Sequence, residues 1–184
     1  MSLFSAVEMA PRDPILGLNE QYAADANPQK VNLGVGVYFD GNGKLPLLKC
    51  VQTAEQMMME KKAARGYLPI DGLPAYDSAV KGLVFGAESD LVQGGRVCTV
   101  QALGGTGGLK LGADFLKKLR PAAKVLISDP SWENHRAIFT NAGFQVETYA
   151  YYDAEKRGVN FEGMLASLQG AAAGTIVVLH AGRH

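Results

Sequence analysis

The stretch Gly104-Gly105-Thr106-Gly107-Gly108 lies between an apolar run, residues 97–103, and a helical pattern. The run contains Val and Thr, which favour a strand. After the glycines, small and apolar residues recur on one helical face: Leu109, Gly112, Ala113, Leu116 and Leu119. A strand, a glycine turn and a helix N-terminus together predict an anion site, because unpaired N–H groups and the helix dipole attract negative charge.

The glycine run matches neither of two familiar phosphate loops. A Walker loop ends in Gly-Lys-Ser/Thr, and Lys110 occupies the place of the third glycine in G-x-G-x-x-G. Such a run is equally typical of a tight strand-to-helix turn that holds no ligand. Both interpretations stay open on the glycines alone.

The composition indicates a cytoplasmic globular protein. The chain has 184 residues, 47% of them hydrophobic, which fits one domain or one and part of another. Its formal net charge of zero argues against a nucleic-acid-binding surface. Cys50 and Cys98 show neither metal-ligand spacing nor a disulfide framework, so we expect a reducing compartment and no metal. Glu8 interrupts the apolar N-terminal stretch, which predicts no signal peptide, and no apolar run approaches the ~20 residues that span a bilayer.

Predicted strands and helices alternate along the chain. Strands are predicted over residues 97–103, 124–128, 145–151 and 175–180. Helices are predicted over residues 15–24, 50–65, 75–85, 109–119, 132–141 and 161–168, and an extended segment over residues 31–38. Ser131 is the predicted N-cap of its helix, and Val51, Ala54, Met57 and Met58 mark the predicted buried side of theirs. The alternation predicts an α/β fold in which helices flank a mainly parallel sheet.

Three candidate ligand-binding groups lie at the ends of predicted strands: the glycine turn and Trp132 each follow a strand, and His180 closes a third. They are expected at the carboxyl edge of the sheet, where open α/β sheets bind ligands. A phosphate cradle, an indole that stacks on a ring and an imidazole predict a planar, phosphorylated cofactor, and His135 shares a helical face with Trp132. The alternative is structural, because a single Trp is often a core anchor and such a histidine often lies on the surface or caps a helix.

These motifs, in this order, resemble the aspartate and aromatic amino-acid aminotransferases, pyridoxal-phosphate (PLP) enzymes of fold type I. The resemblance covers nearly the whole chain and rests on DPILGL (13–18), NLGVGVY (32–38), YLPIDG (67–72), GGTG (104–107), DPSWENH (129–135), YAYYD (149–153) and HA (180–181). It implies an N-terminal arm over residues 1–14, the first part of a small domain over residues 15–45, and an incomplete large PLP-binding domain over residues 46–184.

The resemblance implies a role for each matching residue. Gly104, Gly105 and Thr106 match the loop that holds the cofactor phosphate through backbone N–H and hydroxyl groups. Trp132 matches the indole that stacks on the pyridine ring and borders the substrate.

The remaining matches concern the surroundings of the cofactor. His135 and His180 match histidines that support the ring from behind, and His135 matches the one that orients the aspartate at the pyridine nitrogen. Tyr67 matches a phenol that reaches the cofactor phosphate of the other subunit, which implies a homodimer. Gly36 matches a backbone position close to the bound substrate.

The implied reaction moves an amino group from an amino acid to a 2-oxo acid, with PLP as electron sink and a Schiff-base lysine. In the family, that lysine lies well downstream of His180. Residues 182–184 depart from the family pattern, and Lys110, Lys117 and Lys118 lie on a polar helix face. We therefore expect a truncated chain with no catalytic residue present, inactive alone.

Two other functions stay open at this point. A non-catalytic phosphate- or nucleotide-binding α/β protein explains the glycine turn, although not the Trp and His residues at the same edge. A non-catalytic interaction module would use Tyr67 and the N-terminal arm for association. The residues present do not determine a preference between aspartate and aromatic amino acids.

Overall fold

The computed structural model describes residues 3–9, 11, 14–34 and 36–180 of the chain. Its helices are α1 Pro14–Ala24, α2 Lys49–Lys61, α3 Pro74–Phe85, α4 Asp90–Gln93, α5 Gly104–Leu119, α6 Glu133–Asn141 and α7 Phe161–Gln169. Its strands are β1 Lys124–Asp129, β2 Gln145–Ala150, β3 Tyr152–Asp153, β4 Gly158–Val159 and β5 Ile176–Val177. Contacts within the chain define two units, Met1–Arg65 and Gly66–His184. The predicted boundaries at residues 14 and 45 stay a prediction.

The first unit contains α1 and α2, which confirm two of the predicted helices. α2 ends at Lys61 rather than at residue 65, because Lys62 adopts a left-handed conformation (φ 46°) that does not continue the helix. The predicted buried side of α2 is wrong: Val51, Met57 and Met58 are exposed, and α2 buries none of its residues. An apolar stripe is buried only where another element covers it.

The first unit also contains residues 31–38, which were predicted to form an extended segment. The described residues of the 31–38 segment belong to neither a helix nor a strand. Residues 1–2, 10 and 12–13 of the predicted arm lie outside the described residues, as do Val35 and residues 181–184, which include the divergent end at residues 182–184.

The second unit is organised around β1, the central strand of a three-stranded sheet in the order β2-β1-β5. β2 pairs with β1 in parallel from Lys124↔Gln145 onward, and β5 pairs with it at Val125↔Ile176 and Leu126↔Val177. Four successive β1 residues are buried, as expected of a parallel strand covered on both faces. The predicted α/β architecture with a parallel sheet is confirmed.

The hydrophobic core lies where α5 and α6 meet one face of the sheet. Its buried members are Ala113, Val125, Ile127, Ile138, Phe139 and Phe144. Val125 and Ile127 alternate along β1 with Leu126, which points to the opposite face because successive strand side chains alternate. α7 packs against β2.

Two of the predicted strands differ from the structure. Residues 97–103 form no strand, because a strand requires a hydrogen-bonded neighbour and this segment has no ladder partner in the described part of the chain. Thr175–His180 contributes only β5, although Val178 N also donates to the Leu126 carbonyl at 2.9 Å. The short helix α4 and the β3–β4 hairpin were not predicted.

Candidate cofactor-binding site

The glycine run forms the first turn of α5, so the predicted turn before the helix is corrected to a helix that begins at Gly104. Gly104 has a φ of 65°, a conformation that favours glycine. The preceding residue, Leu103, provides no side-chain cap, and the first helical turn contains no acidic residue. The helix N-terminus is therefore left uncapped by side chains and without a nearby negative charge of its own.

Of the three residues predicted to hold a phosphate, Gly104 donates its N–H to the Ala102 carbonyl at 3.0 Å. In an α-helix the first N–H groups have no intrahelical acceptor, which leaves Gly105 and Thr106 as donors. A Cβ added to Gly104 or Gly105 would meet no other atom within 4 Å. A ligand therefore has room to approach the backbone closely.

The α5 N-terminus points to the carboxyl edge of the sheet. α5 has 16 residues and is about 24 Å long, while β1 has 6 residues and extends about 20 Å. Only residues 120–123 join them, and Ala113 of α5 packs with Val125 and Ile127 of β1 in the core. Such a short connection makes the helix antiparallel to the strand, so Gly104 and Asp129 lie toward the same end.

At that end, three predicted site residues form a row of rings. The ring centroids of Trp132 and His135 are 5.3 Å apart with an interplanar angle of 89°, and those of His135 and His180 are 5.3 Å apart at 85°. His135 is only 4% exposed, whereas Trp132 is 39% exposed. The structure thus brings these three residues together, with the buried imidazole between the other two rings.

Ser131 fixes the middle ring. Its Oγ lies 2.9 Å from His135 Nδ1, across one helical turn. The predicted N-cap role of Ser131 is wrong, because the cap position belongs to Trp132, which makes no side-chain cap bond. The i, i+4 spacing of Ser131 and His135 is the signal that would have predicted their contact.

Tyr149 anchors the segment that leads to His180. Its hydroxyl donates to the Val178 carbonyl at 3.0 Å. Burial raises the pKa of the Tyr149 phenol, partly offset by a hydrogen bond with Ser128 that lowers it, while the Tyr151 phenol raises it further. The phenol is therefore held in its neutral, hydrogen-bonding form. This residue was not predicted as part of the site.

A groove of about 650 Å³ borders Trp132. It is lined by β1 residues, by the segment 130–132, and by Glu133, Arg136 and Thr140 of α6. The inward face of α6 carries His135, Ile138 and Phe139 instead. Neither the two histidines nor the glycine run line the groove, so it adjoins the row of rings without containing it.

Tyr67 and Gly36, the other two predicted site residues, are both exposed. Tyr67 belongs to the second unit and lies in the loop before α3, where its side chain is fully exposed (108%) among the described residues. Gly36 belongs to the first unit, in the segment without helix or strand.

Two of the three lysines of α5, Lys110 and Lys117, are engaged in local contacts. Lys110 pairs with Asp114 one turn on. Lys117 Nζ donates to the carbonyls of Pro121 and Gly143, each at 2.7 Å, and lies 4.7 Å from the Phe144 ring centroid. Both lysines therefore serve the structure of the second unit in this arrangement.

The chain belongs to the family described as Aminotransferase class I and II, whose sequence profile matches residues 28–184. The structure is part of an α/β fold, with an uncapped helix terminus and aromatic side chains toward one sheet edge. Enzymes of this family depend on PLP.

Individual relatives are similar over the whole chain. An aspartate aminotransferase of Pseudomonas aeruginosa is 63% identical over 184 residues, which are 100% of this chain and 46% of that protein. The crystal structure of an aromatic-amino-acid aminotransferase from Burkholderia pseudomallei, covalently bound to pyridoxal phosphate, is 65% identical with a TM-score of 0.88, over 98% of this chain and 45% of that one. A psychrophilic aromatic amino acid aminotransferase from Psychrobacter sp. B6, cocrystallised with aspartic acid, is 40% identical with a TM-score of 0.88, over 97% and 45%.

The chain therefore spans less than half the length of these relatives.

No helix among the described residues combines the length and the apolar character that a membrane span requires.

The residues present fit PLP in two respects. Its phosphate requires hydrogen-bond donors, which the uncapped N-terminus of α5 offers beside the open space at Gly104 and Gly105. Its aromatic ring requires a flat apolar surface, which the partly exposed indole of Trp132 offers.

Proposed function

We propose that this chain is part of a PLP-dependent aminotransferase that moves an amino group between aspartate or an aromatic amino acid and a 2-oxo acid. The observation that carries the proposal is the row of Trp132, His135 and His180 at the sheet edge toward which α5 presents uncapped amides. Family membership supports the same chemistry. Both substrate classes are retained because the aspartate and aromatic relatives are similarly identical to the chain, at 63% and 65%.

The α5 N-terminus holds the phosphate in this proposal. The amides of Gly105 and Thr106 donate to phosphate oxygens, the Thr106 hydroxyl adds a further donor, and Gly104 lets the anion approach the backbone. The helix dipole favours the negative charge at this end.

Trp132 and the histidines orient the ring. The indole stacks on the pyridine plane and borders the substrate. His135, held by Ser131 and buried, keeps a fixed imidazole behind the ring, and His180 supports His135 from the strand side. When bound, PLP supplies the electron sink that stabilises negative charge at the substrate carbon.

The complete reaction requires groups that we place outside residues 1–184. A lysine must bind the cofactor and move a proton at the substrate carbon, whereas Lys110 and Lys117 are held by Asp114 and by backbone carbonyls. We propose that the chain alone does not catalyse amino transfer. We also propose that the complete protein is a cytoplasmic homodimer in which Tyr67 reaches the phosphate of the other subunit and Gly36 lies close to the substrate.

The test uses the full natural polypeptide that includes residues 1–184. After incubation with PLP, an amino donor and a 2-oxo acid acceptor are supplied, and the new amino acid and the new 2-oxo acid are both quantified. Equal formation of both products from aspartate or an aromatic donor is expected. Binding of nucleotides in place of PLP, without amino transfer from either donor, would contradict the proposal in favour of a simple phosphate-binding protein.

A further inference from the structure

The loop that carries Tyr67 is attached to the segment that leads into α5. Gln101 N donates to the Asp71 carbonyl at 2.9 Å, and the side-chain Oε1 of Gln101 accepts from Leu73 N at 3.1 Å. Gly72 N donates to the Pro69 carbonyl at 3.0 Å and closes the turn between Tyr67 and these contacts. One glutamine therefore binds the loop on both sides of Gly72.

Gly72 permits this close contact. Its φ is 103°, and a Cβ built there would lie 2.3 Å from the Cβ of Gln101. No other residue fits this position without displacing the loop, because both the backbone conformation and the space exclude a side chain.

The position of Tyr67 depends on the attachment of its loop, because its side chain is fully exposed and the described residues do not hold it by packing. Gln101 also lies only three residues before Gly104, where α5 begins. The same residue thus connects the phosphate-binding helix terminus of its own chain with the tyrosine proposed to serve the other subunit.

We propose that Gln101 is a positioning residue that holds Tyr67 in place for the cofactor phosphate. This inference rests on the proposed PLP function and adds to it a residue that touches neither cofactor nor substrate. Loss of the Gln101 side-chain acceptor releases Leu73 N and loosens the loop, so the contribution of the phosphate to binding falls.

The test compares PLP with pyridoxal, which lacks the phosphate, in the full natural polypeptide freed of cofactor. Gln101→Met keeps the side-chain length and removes the acceptor. Equilibrium dialysis should show PLP affinity lowered about 3- to 10-fold, the effect of one hydrogen bond, with pyridoxal affinity unchanged. A general loss of structure would weaken both ligands.

Two further variants show whether Gln101 acts through Tyr67. Tyr67→Phe should cause a loss of the same kind, and adding Gln101→Met to it should cause no further loss, since both act through one group. The matched control is Gln93→Met, which removes another glutamine bond to the backbone, Gln93 Nε2 to the Ala87 carbonyl at 2.9 Å. This control should change neither affinity.

The outcomes separate the two proposals. Equal affinity of the unsubstituted protein for PLP and pyridoxal would overturn both the proposed phosphate site and the role of Gln101. A preference for PLP that Gln101→Met leaves intact, or losses that add in the double variant, would overturn the role of Gln101 alone. If Gln101→Met does not fold, Gly72→Ala takes its place, because it displaces the loop without altering Gln101. This variant must show the same phosphate-specific loss. An unchanged preference for PLP over pyridoxal would refute the inference.

Discussion

Replacement of Trp132 by Ala tests the proposed ring-stacking surface. The indole is 39% exposed and meets His135 edge to face, so part of its surface is available to a ligand. Stacked aromatic pairs contribute about 0.5–1.5 kcal/mol beyond the burial of area, which corresponds to an about 2- to 12-fold loss of PLP affinity. Turnover should fall as well, because an unstacked ring loses its orientation.

The assay measures PLP affinity by equilibrium dialysis in the full natural polypeptide that includes residues 1–184. Trp132→Phe is the matched variant, since it keeps a flat ring and should retain most of the affinity. The thermal midpoint of each cofactor-free variant is recorded in parallel, because the covered part of Trp132 also contributes to folding.

Unchanged PLP affinity and turnover in Trp132→Ala, with the protein still folded, would refute the stacking role. The indole would then be a structural residue at the start of α6. An equal loss in Trp132→Phe and Trp132→Ala would also argue against stacking, because a phenyl ring preserves the flat surface.

Three further predictions concern the second unit. The pKa of Tyr149 is raised in the folded state, so its contribution to stability is fully present below the unfolded pKa of about 10 and is lost at higher pH. The Tyr149→Phe variant should therefore lose less stability than the unsubstituted protein between pH 9 and pH 11, roughly the range that brackets this titration. Chemical denaturation across this pH range measures the difference. Lys117→Met should lower the free energy of unfolding by about 1–2 kcal/mol, because two hydrogen bonds to carbonyls are lost and some side-chain entropy is regained. In the control Lys118→Met, at an exposed position, the free energy of unfolding should stay within about 0.5 kcal/mol of that of the unsubstituted protein. Residues 1–184 alone should associate and unfold without a sharp transition, because β5 is short and Leu111, Phe115 and Leu119 expose one side of α5; a monodisperse, cooperatively unfolding chain in sedimentation and calorimetry would disprove this.

The sequence predicts those elements whose contacts are encoded locally. β1 is a short run of apolar residues between turns, and α6 and α7 have helical spacing and clear ends, so their positions follow from periodicity. The parallel arrangement follows from the alternation of these elements. Trp132 and His180 could be placed together because one follows a predicted strand and the other ends one, and His135 joins them because it shares a helical face with Trp132.

The remaining features depend on contacts that are distant in sequence. Residues 97–103 have the composition of a strand, but a strand also requires a neighbour, which composition does not supply. The attachment of Leu73 to Gln101 joins residues 28 positions apart, and no periodicity indicates it. Met57 and Met58 are exposed because burial depends on whether another element covers α2, and the pattern of its residues does not determine that.

The central claim is that the α5 N-terminus and Trp132 form a PLP site. A crystal structure of the full natural polypeptide with PLP tests it most directly. We expect phosphate oxygens about 2.7–3.2 Å from the amide nitrogens of Gly105 and Thr106, with the pyridine ring parallel to the Trp132 indole. A phosphate bound away from α5, or a ring that does not contact Trp132, would contradict the claim.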